Sequence, residues 1–232
     1  MIKAILLAGV ISAGLAAPAF AGLPHVIKVE CPLDGEKFDF VTTMSHSTWG
    51  FHMDGKPVGS WTFPMPIPQC PVTRLPVVED EYSAEQKAVL NALVLTPEYK
   101  AIQNEVSYYV LDFVLRKTSE QKPEGHVWML LQSTWQVEED PATYSRYAAE
   151  LIEAMDSGLK REDLEEDGNW PFYQLSIANV QRQAGDFDGA RQRLALLGDE
   201  VQSDPRLLEW AELTRTMIEA GDTSTRPIRE RP

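Results

Sequence analysis

The chain has 232 residues, 44% of them hydrophobic and 24% charged, with two cysteines and a formal charge of −14. That composition excludes a collagen-like repeat, a wholly disordered tail and a polytopic membrane protein. A sequence pI of about 4.7 also argues against a nucleic-acid binder, which needs a basic face to displace condensed counterions.

Residues 1–21 have the layout of a secretory signal. Lys3 supplies the positive start, residues 5–15 an apolar run, and Ala19-Phe20-Ala21 small residues at −3 and −1 before Gly22. The apolar run is too short for a membrane span. This reading predicts export to the periplasm with cleavage after Ala21 and no membrane insertion afterwards. Cleavage would remove Lys3 and no acid, taking the net charge from −14 to −15.

Two compositions meet near residue 80. Over residues 22–80, Val26-Ile27-Lys28-Val29 and Phe38-Asp39-Phe40-Val41 flank a Pro32-Leu33-Asp34-Gly35 turn, which predicts a hairpin. Ser60-Trp61-Thr62-Phe63 is a third candidate strand. Pro64, Pro66, Pro68 and Pro71 then favour an irregular, extended path. The expectation is a small β-rich module.

From 81 onward the hydrophobic period becomes helical. Ser83 and Gln86 make a capping box, and Thr96-Pro97 restarts the chain. Tyr99, Ile102, Val106, Tyr109, Val110 and Phe113 predict one continuous helical face. A further helix is expected over about 125–138. Asp140-Pro141 opens the next, with Tyr144, Tyr147, Ala148, Leu151, Ile152 and Met155 as its stripe and Gly158 as its end. Glu162, Asp163, Glu165, Glu166 and Asp167 lack the spacing and glycine of a calcium loop and read as a solvated linker. Trp170-Pro171 opens a helix that stops at Gly185. Asp186 caps the next, with the stripe Phe187, Ala190, Leu194 and Leu197. A last helix runs from 205 to about 220. About seven helices joined by short turns imply antiparallel neighbours over 81–221. Residues 222–232, with Arg226, Arg229 and Arg231 among prolines, are expected to be disordered.

The segment Gln183-Ala184-Gly185-Asp186-Phe187-Asp188-Gly189-Ala190 resembles the centre of a tetratricopeptide repeat. There a small residue turns between two helices, an aromatic opens the second, and a small residue three positions on allows close packing; in this chain these are Gly185, Phe187 and Ala190. Pro171 and Pro205 stand 34 positions apart, the period of that repeat. Gln181 and Arg182 occupy positions that are usually aromatic. Cys31-Pro32-Leu33-Asp34-Gly35 and Cys70-Pro71-Val72-Thr73 resemble two Cys-Pro-x-Cys-Gly zinc knuckles that have each lost one thiolate. Over most of the chain this is similar to a bacterial family of unassigned function that joins such knuckles to a tetratricopeptide-like region. The resemblance implies a mainly α fold, with an antiparallel helical array preceded by a small zinc-ribbon-like module. It implies no activity.

In that pattern four thiolates would fall at Cys31, position 34, Cys70 and position 73. Asp34 and Thr73 stand in two of those places. Three states are open to the cysteines: a disulfide, a zinc site and free thiols. Facing knuckles without metal would bring Cys31 and Cys70 together, and an exported chain meets oxidising conditions, so the Cys31–Cys70 disulfide is the leading expectation. Closing a loop of that length stabilises by about 4 kcal/mol on the loop-entropy model. A zinc or copper site would need Cys31, Asp34, Cys70 and one or both of His46 and His52. Met44, His46, His52 and Met53 around Trp49-Gly50-Phe51 have no tight metal spacing and read as a loop with aromatic packing.

No nucleophile elbow, metalloprotease helix, phosphate loop or redox Cys-x-x-Cys occurs. Paired carboxylates remain open, since their separation is a three-dimensional property. The sequence therefore predicts an exported, non-enzymatic protein that binds a protein or peptide through its helical region, and no cofactor. The alternative is a periplasmic metal-binding protein.

Overall fold

The computed structural model of the chain describes residues 22–119, 122–160 and 170–229. The signal reading for 1–21 and the acidic run at 162–167 lie outside the described residues. The fold is mainly α. Among the described residues there are nine helices and two small antiparallel sheets.

The predicted hairpin forms: β1 (Pro24–Glu30) pairs with β2 (Lys37–Thr43), from Pro24 opposite Thr43 to Glu30 opposite Lys37. The third candidate strand does not. Its place is taken by β3 (Thr48–Phe51) and β4 (Pro57–Gly59), a second hairpin. Ser60 closes that hairpin, its N–H on the Ser47 carbonyl and its hydroxyl accepting the Ser47 N–H. The proline-rich stretch that follows leaves residues 61–63 no partner strand.

The helices are α1 (Ala84–Leu93), α2 (Pro97–Ile102), α3 (Ser107–Thr118), α4 (Pro123–Gln136), α5 (Pro141–Gly158), α6 (Trp170–Gln183), α7 (Phe187–Leu194), α8 (Glu200–Ser203) and α9 (Pro205–Glu219). The Ser83–Gln86 capping box is present on both sides, and Asp140, Asp186 and Asp204 each accept backbone N–H bonds at a helix start. The continuous face expected from Tyr99 to Phe113 is broken. α2 ends at Ile102, and Val106 takes the extended backbone of a cap, so α2 and α3 are separate helices.

Three hydrophobic clusters hold the chain together. One joins α4, α5 and α6 through Leu131, Tyr147, Leu151 and Ile177. The second joins α6, α7 and α9 through Leu175, Ala190, Trp210 and Met217. α6 is buried on both faces and is the shared member. The third cluster crosses the composition boundary at residue 80: Cys31, Cys70 and Leu75 pack with Leu90, Tyr99, Val110 and Val114. The N-terminal module and the first helices therefore share one core.

The tail is a correction. Residues 222–229, expected to be disordered, are fixed against the helices. The Arg182 side chain is fully buried and donates from Nη1 to the Asp222 carbonyl at 2.5 Å and the Ser224 carbonyl at 2.9 Å. The tail then runs beside the second hairpin: Met53 N–H donates to the Arg226 carbonyl, and Ile228 N–H to the Phe51 carbonyl. Proline spacing could not reveal this, because Arg182, Met53 and Phe51, which hold the tail's backbone, lie some 40 to 177 residues earlier in the chain.

Candidate functional site

The β3–β4 turn, residues 52–56, is plugged into the helical array. Met53 and Asp54 are fully buried, and the Met53 carbonyl accepts the Trp210 indole N–H at 2.9 Å. Gly55 has φ +85°, and a Cβ there would lie 2.5 Å from the Ser176 hydroxyl on α6, so both backbone shape and space demand glycine. The segment read as a loop with aromatic packing buries Met53 between α6 and α9.

Charge enters with the plug. The Asp54 carboxylate accepts the Lys56 N–H at 3.2 Å. Lys56 Nζ in turn donates to Glu138 at 2.7 Å and to the Trp135 carbonyl at 3.4 Å. Burial, reinforced by the Glu138 charge, pushes the Asp54 carboxyl up to about 6. Burial also lowers His52, with Glu138 opposing and Lys56 assisting. Among the described residues three buried polar atoms in this neighbourhood, His52 Nδ1, Trp135 Nε1 and Glu138 Oε1, have no hydrogen-bond partner, while the Gln183 side chain helps to hold the charged form of Asp54. Such a concentration marks a place where water or a ligand completes the bonding.

Two concavities border the plug. One is a cleft of about 540 Å³ between the 62–66 loop and the α4–α5 turn, with the Lys56–Glu138 pair among its lining. The other is a groove of about 360 Å³ lined by Trp49, Phe51, Phe172, Leu207, Trp210 and Ile228. Trp49 and Phe51 remain 45% and 47% exposed there. Ion pairs of Arg206 with Asp204 and of Arg229 with Glu209 stand at this groove.

The expected disulfide is present, with Cys31 and Cys70 joined and their Cα atoms 5.3 Å apart. The two cysteine turns are equivalent in hydrogen bonding. Cys31 N–H donates to the Glu36 carbonyl and Gly35 N–H to the Cys31 carbonyl; Cys70 N–H donates to Leu75 and Arg74 N–H to Cys70. Gly35 and Arg74 both have positive φ, 76° and 62°. Even the side chains at positions 34 and 73 match. Asp34 Oδ1 accepts the Glu36 N–H at 3.0 Å, and Thr73 Oγ1 the Leu75 N–H at 3.4 Å.

The other candidate ligands do not converge. Asp34 is exposed at its turn, His46 lies edge-on to Phe63 at 5.5 Å, and His52 sits at the plug. Among the described residues no group of three or more His, Cys, Asp or Glu is placed to hold a metal ion. His126 is tied through Nδ1 to the buried Asp112 at 2.7 Å. Gly185, Phe187 and Ala190 sit at the α6–α7 turn: Gly185 has φ +84°, Ala190 is fully buried and Phe187 packs on the second cluster. Sequence reading missed Asp54, Lys56, Glu138 and Gln183. The Asp54-Gly55 pair was the available signal, a turn dipeptide between two short β-prone runs.

No family model, curated protein or solved structure matches the chain. No helix among the described residues is long and apolar enough to cross a membrane.

Proposed function

We propose that the protein is an exported, non-enzymatic interaction protein that holds an extended segment of a partner in the aromatic groove on α6 and α9. The carrying observation is the groove itself, where half-exposed Trp49 and Phe51 continue the apolar surface of Phe172, Leu207 and Trp210. Large aromatics in a concave, well-packed setting are the usual anchors of an interface.

On this proposal α6 and α9 are corresponding helices of two tetratricopeptide-like units. Both carry a proline in the first turn, Pro171 and Pro205. Both end in the same capping motif: Gly185 and Asp186 donate to the carbonyls of Arg182 and Gln181, and Gly221 and Asp222 to those of Ile218 and Met217. After α6 a partner helix follows; after α9 the tail takes its place. In such arrays the first helices of successive units line the recognition face. The equivalent cysteine turns are read as zinc-ribbon-like knuckles in which a disulfide has replaced the metal, and the disulfide agrees with export. With a net charge of −14 the favoured segment carries an apolar anchor flanked by basic residues.

Random peptides selected on the full chain test this. The enriched peptides are expected to combine an apolar anchor with Lys or Arg, and to lose binding to Trp49→Ala and Leu207→Ser. Absence of enrichment, or binding that survives both substitutions, contradicts the reading.

A further inference from the structure

An apolar pocket of about 260 Å³ opens between α1 and α3, in the part of the fold that shares its core with the disulfide. Its third wall is the segment that leaves the Cys70 turn, with Pro76 and Val78. The Tyr82 hydroxyl accepts the Val78 and Glu79 N–H groups at 3.1 and 3.3 Å, which fixes that wall to the start of α1. Leu90, Leu111 and Val114 supply buried lining, while Val78 and Val89 are 50% and 48% exposed. The apolar surface therefore runs from the core out to solvent, where a ligand can enter.

The charge at the pocket has one sign. Glu79 and Glu85, both exposed, are among its lining, and no described Lys, Arg or His is. The Gln86 amide donates to Glu79 Oε2 at 3.1 Å and steadies that carboxylate. Hydrogen bonds from its own N–H and from the Ser83 hydroxyl hold Glu85 below its ordinary value, so it is ionised at neutral pH. A fatty acid would fit the apolar walls and bring its carboxylate against these two. A polyamine would satisfy them but would have to strip water from further charges along its chain. An alkyl chain ending in a single ammonium matches walls and mouth together. The volume lies below that of drug-sized sites, which limits the chain to a short one.

We propose that this pocket binds a cationic amphiphile, with a short alkyl chain between α1 and α3 and its ammonium at Glu79 and Glu85. Each buried methylene is worth about fourfold in affinity. Each exposed carboxylate is worth at most about fivefold, and less as salt rises.

The test follows the methyl resonances of Val89 and Leu115 in the labelled full chain, with those of Leu207 in the aromatic groove as reference. Butyl-, hexyl- and octylammonium are titrated below their micelle concentrations, beside octanoate and spermidine. Saturable shifts at Val89 and Leu115 are expected, tightening about fourfold per methylene until the chain fills the pocket. Glu85→Gln should weaken octylammonium about fivefold at low salt. Val89→Lys, which sets a cation at the mouth from an exposed helical position, should abolish binding. Glu85→Gln keeps the test open if that variant fails to fold. The proposal is overturned if no alkylammonium shifts these resonances, or if octanoate or spermidine binds as tightly as octylammonium. Shifts at Leu207 in place of Val89 and Leu115, or unchanged binding by Glu85→Gln, would also overturn it.

Discussion

Asp54 sits where an ionised carboxylate is poorly served: fully buried and near Glu138, with the Lys56 N–H and the Gln183 side chain offsetting only part of the cost. Its pKa is raised from 3.8 to about 6, so the native state binds its proton more readily than the unfolded chain. The ionisation penalty is therefore fully present above about pH 6, and stability from this group rises as pH falls from about 6 towards 4. Asp54→Asn should stabilise the protein at pH 8 by up to about 3 kcal/mol and have little effect near pH 3.5, measured by urea denaturation at both values. An equal effect at the two pH values would contradict this. Arg182 is the other decisive residue, a buried charge whose main partners are tail carbonyls. Arg182→Met should cost about 3 kcal/mol and speed amide exchange at Met53 and Ile228, which are bonded across the hairpin–tail seam. Unchanged exchange at those two amides would show that the tail is held by other means.

At the scale of elements, local chemistry was the legible part. Asp140-Pro141, Asp186 and Gly158 mark helix ends where they stand, because caps depend on neighbours three or four residues away. The stripe from Tyr144 to Met155 faces the core as its period requires. The Tyr99–Phe113 stripe misled because two successive helices can both face one core while the chain breaks between them at Val106. The plug was illegible for a related reason. A Met-Asp-Gly-Lys turn looks solvated, and only α6 and α9, more than a hundred residues later, make it buried. The cysteine turns carry their own test. Their matched hydrogen bonds leave Asp34 and Thr73 in equivalent places. Asp34→Cys combined with Thr73→Cys should bind one zinc per chain under reducing conditions, by metal analysis after gel filtration. No retained zinc would contradict the knuckle reading.

Across the whole molecule, distant segments are interleaved rather than set side by side. The N-terminal module shares a core with α1, α2 and α3, the second hairpin fills a gap between α6 and α9, and the tail closes over both. The composition change at residue 80 is thus a change of secondary structure within one packed body. The groove depends on this interleaving, since it draws Trp49 and Phe51 from the hairpin, Phe172 and Trp210 from helices, and Ile228 from the tail. The central claim, that this groove receives a partner segment, is tested most directly by a photo-cross-linking residue placed at Phe51. A control copy carries it at Val72, which is 77% exposed at a cysteine turn away from the groove. The predicted result is a discrete adduct from Phe51, abolished by Leu207→Ser and absent from Val72, with an apolar residue flanked by Lys or Arg at the joined position. No adduct at Phe51, or the same adducts from both positions, would contradict the account.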